Sequence, residues 1–133
     1  MTPPRPQIAS LRRILVLLSA LALAPLASCG QQAAPSPGVR IGDAAEGKIV
    51  MTRSGCGSCH EIPGLMHANG LVGPPLQHFA GRTIIAGLLP NTPQNLVKWI
   101  RYPQEVVPGN AMPDGGLNDK QARDIAAYLY TLR

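Results

Sequence analysis

Apolar positions along the chain follow two regimes. Ile14 to Leu26 is an apolar stretch of 13 residues, with Ser19 as its one polar side chain. From residue 42 onward apolar positions instead recur at helical spacing between polar, Gly/Pro-rich segments. Asp43-Ala44-Ala45-Glu46 has a capping-box pattern and opens a helix predicted to run to about Arg53. Thr92-Pro93 supplies an N-cap and a proline for the first helical position of a second. That helix carries Leu96, Trp99 and Ile100 and stops before Pro103. Asn118 opens a third, with Asp119 in its first turn and Gln121 completing a capping box. Its apolar stripe is Ala122, Ile125, Ala126, Leu129 and Leu132. The pattern predicts an all-α domain over 42–133, with three main helices joined by long loops. Gly47 inside the first helix is costly to helicity and calls for a packing reason.

The first regime reads as an export signal over 1–28. Arg5, Arg12 and Arg13 precede the apolar run, which is shorter than the ~20 residues needed to span a bilayer. Leu26-Ala27-Ser28-Cys29 resembles a bacterial lipoprotein box, in which the cysteine thiol takes a diacylglycerol after cleavage. Two or three acyl chains would hold the protein on a membrane where one would not. The competing reading is an ordinary signal cut after Ala22-Leu23-Ala24. Residues 29–41 are small, polar and Pro-containing, as in a flexible tether.

This division changes what composition means. The 133 residues have a formal charge of +5, which invites a nucleic-acid reading. Losing residues 1–28 lowers Lys+Arg from 12 to 9 and leaves Asp+Glu at 7, so the mature charge is +2. No basic stripe interleaved with aromatics remains, and no nucleic-acid partner is expected. Aromatics are only 4% of the chain, thin for a conventional core. Gly and Pro, 14 each, predict many loops. The three cysteines are too few and odd in number for a disulfide scaffold.

Cys56-Gly57-Ser58-Cys59-His60 is the strongest chemical signal. Its spacing is that of a c-type haem attachment site. Two thiols three positions apart on one turn can reach both porphyrin vinyl groups and form thioethers. The following imidazole then sits beneath the iron as the proximal ligand. A thioredoxin-like dithiol lacks its βαβ context. A zinc site wants four ligands, and the other cysteine, Cys29, lies outside the domain. A disulfide across two intervening residues would be strained. One motif implies one covalently bound haem c.

The sixth iron position has candidates in Met51, Met66, Met112, His67 and His78. Met51 lies in the first helix, and Met66, His67 and His78 follow His60 closely. Met112 lies 52 residues beyond His60, in Val107-Pro108-Gly109-Asn110-Ala111-Met112-Pro113. Such a loop can carry a thioether to the iron without regular backbone pairing. His60 and Met112 are therefore the expected metal ligands. Paired His/Met ligation leaves no open position and favours electron transfer over oxygen or peroxide chemistry.

From Asp43 to Leu132 the chain resembles a class I cytochrome c. The resemblance implies helices and loops wrapped around one haem, and a close helix crossing at Gly47. It sets Tyr128 against the first helix. Gly73-Pro74-Pro75-Leu76 resembles the family's Gly-Pro-x-Leu segment. By that match the Pro74 carbonyl accepts the proton of the axial His60, and Leu76 packs on the haem. Trp99 is expected to wall the pocket near Met112. Arg82, Trp99 and Asn110 are candidates for the propionates. Gly87-Leu88-Leu89-Pro90-Asn91-Thr92-Pro93, Trp99-Ile100, Pro103-Gln104 and Pro108 to Pro113 resemble the cytochrome c domain fused to subunit II of caa3-type terminal oxidases. Neither a copper-binding domain nor a transmembrane hairpin is read ahead of the haem domain, so membrane attachment is expected through Cys29.

These readings converge on a carrier rather than an enzyme. It would shuttle single electrons in a respiratory chain, from an upstream donor to a redox partner, with a terminal oxidase as acceptor. It would sit in the bacterial envelope, lipid-anchored, with its haem domain on the periplasmic or outer face of the cytoplasmic membrane. The alternatives are an electron-accepting haem subunit of a periplasmic dehydrogenase and a haem sensor.

Overall fold

The computed structural model describes residues 41–133. The signal over 1–28, Cys29 and the tether up to residue 40 lie outside the described residues.

Helix α1 spans Ala44–Arg53. The Asp43 carboxylate accepts from the backbone N–H groups of Ala45 (2.8 Å) and Glu46 (3.2 Å), satisfying donors that the first turn leaves open. The capping-box pattern assigns the N–H of Asp43 itself to Glu46. It goes instead to Asp124 Oδ1, 2.8 Å away and 81 residues along the chain. The C-terminal helix, Asp119–Leu129, has the full box: Gln121 N–H donates to Asn118 Oδ1, and Asn118 N–H donates to Gln121 Oε1, both 2.9 Å.

These terminal helices cross almost backbone to backbone. A Cβ on Gly47 would run into the Asp124 carbonyl and lie 2.9 Å from Ile125 N. Facing Gly47, Val50 and Met51 are the small buried residues Ala122 and Ala126, flanked by Ile125 and Leu129. A ten-residue helix is marginal alone in water, so this contact is what keeps α1 helical. The helical stripe holds as far as Leu129; Leu132 lies past the helix end and is half-buried. Asp124 is buried beside the stripe, a polar position that apolar periodicity does not reveal.

Helix α2 spans Pro93–Arg101, capped by Thr92, whose hydroxyl accepts from Asn95 N–H at 3.2 Å. Leu96 and Ile100 are buried. It stops before Pro103, as expected, but the chain does not then become loop. A four-residue helix, α3, runs Pro103–Val106, a fourth helix among the described residues beside the three main ones predicted. The proline that cannot extend α2 suits the first position of the next helix. The C-terminal helix Asp119–Leu129 is thus α4. Single 3₁₀ turns cover Cys56–Ser58 and Phe79–Gly81.

One feature of the loops is a small antiparallel hairpin. β1 (Ile84–Ile85) pairs with β2 (Leu89–Pro90), with Ile84 opposite Pro90 and Ile85 opposite Leu89. Ala86 and Gly87 turn the chain in the left-handed region, at φ 53° and 75°. The core runs from Met51 and Ile62 through Leu96 and Ile100 to α4. Among the described residues no helix is long and apolar enough to cross a membrane.

Asp124 ties the crossing electrostatically. Burial opposes its charge, but the Asp43 N–H and the Lys120 ammonium (2.6 Å) outweigh it and hold the carboxyl below the ordinary aspartate range. The stability it contributes is therefore present above its unfolded pKa and lost as pH falls through the lower folded value. Asp124→Ala, which strands the Asp43 N–H, is expected to cost about 2 kcal/mol at neutral pH in denaturant unfolding. The gap to the parent protein should shrink below pH ~4; a gap that stays constant into acid would remove the carboxylate from this role.

Candidate functional site

The Cys56–His60 segment leaves α1 through Gly55, whose left-handed φ of 69° redirects the chain. Cys59 N–H and His60 N–H both reach back to the Cys56 carbonyl, at 3.3 and 3.0 Å. This tight turn is clamped by the chain that follows. Gly70 N–H donates to Gly57 O (3.1 Å), and Gly73 N–H donates to Cys59 O (2.8 Å). Gly57 lies so close to Ala68 that a Cβ on it would approach the Ala68 Cβ to 2.7 Å. The loop from Glu61 to Gly73 is therefore folded onto the motif.

The clamp fixes one imidazole. His60 Nδ1 lies 2.8 Å from the Pro74 carbonyl. A carbonyl can only accept, so Nδ1 carries the proton and donates, and the lone pair of Nε2 is left free. Gly73 makes the room: a Cβ there would sit 2.6 Å from Nδ1 and 2.8 Å from Nε2. The sequence marks Gly73 as part of a turn segment, and the ring's need for this space is visible only in the fold. Leu76 N–H donates to Glu61 O (2.8 Å), which closes the loop under the ring and turns the buried Leu76 side chain into the site.

Cys56, Cys59, His60 and Met112 line one cavity of about 600 Å³. Its walls are apolar, from Leu76, Phe79, Ile85, Trp99, Ile100 and Leu117. Trp99 and Leu76 line this cavity together with Met112. The other candidates for the sixth position are elsewhere. Met51 is 1% exposed in the helix core, and Met66 is 83% exposed on the surface. His67 is exposed, and His78 faces a separate surface depression with Tyr130 and Arg133.

Two of the polar candidates are already engaged. Asn110 Nδ2 donates to Pro103 O (2.9 Å) and Val107 O (2.6 Å), and Oδ1 accepts from Met112 N–H at 2.7 Å. Its amide is taken up by the start of α3 and by the loop itself. Arg82 lies over the Phe79 ring, 5.2 Å from its centroid, and donates to Pro75 O and Gln77 O. Tyr128 packs on the core, but its hydroxyl reaches the loop rather than α1, donating to Pro63 O at 2.7 Å.

Sequence reasoning misses the hairpin wall and Gln104. For the hairpin a signal exists: the apolar pairs Ile84-Ile85 and Leu88-Leu89 flank Ala86-Gly87. For Gln104 there is none, because its partners are backbone groups.

The site suits a large flat apolar cofactor with a metal at its centre. The volume falls within the roughly 300–1,000 Å³ of cofactor pockets, and the walls are apolar with few polar groups. The donor set is an oriented imidazole and a thioether, a pair known for haem iron. Two thiols three positions apart lie on the same wall. Burial, with a lesser push from Cys59, raises the Cys56 thiol above the ordinary cysteine range. That is opposite to the depressed pKa of a redox-active dithiol.

Comparisons with known proteins agree with this chemistry. Residues 44–133 match the family described as Cytochrome c. The chain is 35% identical over 91 residues to a cytochrome c oxidase subunit 2 of Alkalihalophilus pseudofirmus, covering 68% of this chain and 26% of that protein. It is 36% identical over 106 residues to a cytochrome c oxidase subunit 2 of Bacillus sp. strain PS3, covering 77% and 30%. The chain thus spans between a quarter and a third of the length of these subunits. A cytochrome c2 of Rhodopila globiformis is 37% identical over 108 residues, covering 69% of this chain and 95% of that protein. The chain belongs to the cytochrome c family: it is an all-α electron-transfer protein built around one covalently bound haem c.

Proposed function

We propose that this chain is a lipid-anchored electron carrier of a bacterial respiratory chain that delivers single electrons to a terminal oxidase. The observation that carries the reading is the meeting of both thiols, the Pro74-oriented imidazole and Met112 in one apolar cavity. Cys56 and Cys59 would hold the porphyrin through thioethers, and His60 and Met112 would hold the iron. The bound haem supplies a one-electron couple between its ferrous and ferric states. The protein's share is to keep both axial side chains in place in either state. Pro74 keeps the His60 ring in one tautomer, and Gly73 lets it stand there. With two side chains committed to the iron, no position is left for a substrate, which supports a carrier rather than an enzyme.

The acceptor is argued from the relatives and from the mouth of the cavity. Two relatives are named as oxidase subunits. At the mouth, Val72 is 70% and Ile84 48% exposed, while among the described residues Arg82 is the one charged side chain lining the cavity. A small apolar face of this kind suits brief encounters with a redox partner more than permanent assembly. The Leu26–Cys29 box supports tethering on the outer side of the cytoplasmic membrane, where the anchor raises the effective concentration of a membrane partner.

Three outcomes follow. Met112→Ala should abolish the weak far-red band of Met–iron ligation in the ferric spectrum and admit carbon monoxide in the ferrous state, whereas Met66→Ala should do neither. Gly73→Ala should destabilise the holoprotein by about 1–3 kcal/mol through overpacking against the ring. Gly81→Ala, where an added Cβ meets nothing within 4 Å, should be nearly neutral. Cys29→Ser should release the protein from salt-washed membranes; retention there would sink the lipid anchor.

A further inference from the structure

We propose that Gln104 is a positioning residue for Met112, and that it sets how firmly the thioether competes with other ligands for the iron. The proposal rests on Met112 being the axial ligand.

The loop carrying Met112 has little backbone structure of its own. Between Pro108 and Leu117, among the described residues, the single backbone–backbone bond donated is Asn110 N–H to Val107 O, at a long 3.3 Å. Pro108 and Pro113 have no N–H to offer, and Gly109 turns at φ 78°. Two side-chain amides take the place of a ladder. Gln104, on the first turn of α3, donates from Nε2 to Asn110 O (3.0 Å) and to Met112 O (2.8 Å). Its Oε1 accepts from Gly109 N–H at 3.1 Å. All three bonds go to one loop. Met112 is consequently held at both backbone groups, its N–H by Asn110 and its C=O by Gln104.

Gln104 is exposed, so water could satisfy its amide at no cost. Burial does not dictate its use in the loop; the geometry does. The packing of α3 supports it from below, since Pro103, beside Gln104, is almost fully buried. A thioether is a soft donor and binds the ferric ion less readily than the ferrous one. Retention of Met112 in the oxidised protein then depends on keeping the sulfur from swinging away, and the backbone carbonyl that Gln104 holds belongs to the same residue.

The test is a titration of the ferric holoprotein with imidazole, following loss of the far-red band. Imidazole nitrogen replaces the Met112 sulfur on the iron, and no electron is exchanged. Gln104→Ala is expected to keep the band at the outset and to bind imidazole roughly tenfold more tightly, as fits the loss of its three solvent-exposed hydrogen bonds. Gln104→Glu retains only the acceptor for Gly109 and should move in the same direction; it also serves if Gln104→Ala does not assemble. Asp43→Ala removes a helix cap remote from the loop and should leave the titration unchanged. If Met112→Ala lacks the band yet both Gln104 variants titrate within twofold of the parent, the ligand assignment stands and the positioning role is wrong. If Asp43→Ala tightens imidazole binding equally, the effect is general loosening and the role is again wrong. A band that survives in Met112→Ala overturns the ligand assignment and this proposal with it.

Discussion

The closeness of α1 and α4 is the constraint on which the rest of the protein depends. Gly47 has no side chain because the Asp124 carbonyl occupies the space one would need. The Asp43 N–H, which a shorter-range cap could have taken, crosses to Asp124 instead. The ends of the domain are thereby fixed to each other by contact and by hydrogen bond. Between them lie loops, short helices, a small hairpin and the haem pocket. The haem motif begins three residues after α1, so its turn starts from a position that α4 determines.

A second level of order comes from contacts between loops and single groups. The Glu61–Gly73 loop folds onto the motif, and the Pro74 carbonyl orients the ring. Tyr128 reaches from α4 to Pro63 and ties that loop back to the helical frame. The hairpin at Ile84–Pro90 supplies part of a wall, and Arg82 braces the chain beneath it through Pro75 and Gln77. A shortage of aromatic side chains is tolerable in such a design, because the cofactor fills the centre that they would otherwise occupy.

How much of this the sequence discloses depends on the range of the interaction. Helix ends are legible because caps act over three residues: Asp43, Thr92 and Asn118 all cap where the pattern places them. The attachment motif and the Gly-Pro-x-Leu segment are legible because their spacing is chemical. What is not legible is long-range or directed at backbone. Asp124 looks like a surface residue of a polar helix face, and only its partner 81 residues away makes it a core group. Gln104 and Asn110 look like solvated loop amides, since backbone acceptors leave no mark on sequence. The short helix α3 is obscured by the very proline that ends α2.

The pairing of the first helix with the last also has a bearing on the order in which the chain matures. Helix α1 is too short to hold its shape unaided, and its partner is complete only at Leu129, 73 residues after Cys56. Until α1 and α4 pair, the helical frame behind Cys56 and Cys59 is not closed. While the two helices are apart, both thiols lie in open polypeptide, reachable by whatever joins them to the porphyrin. Pairing of the terminal helices then closes the domain over the attachment.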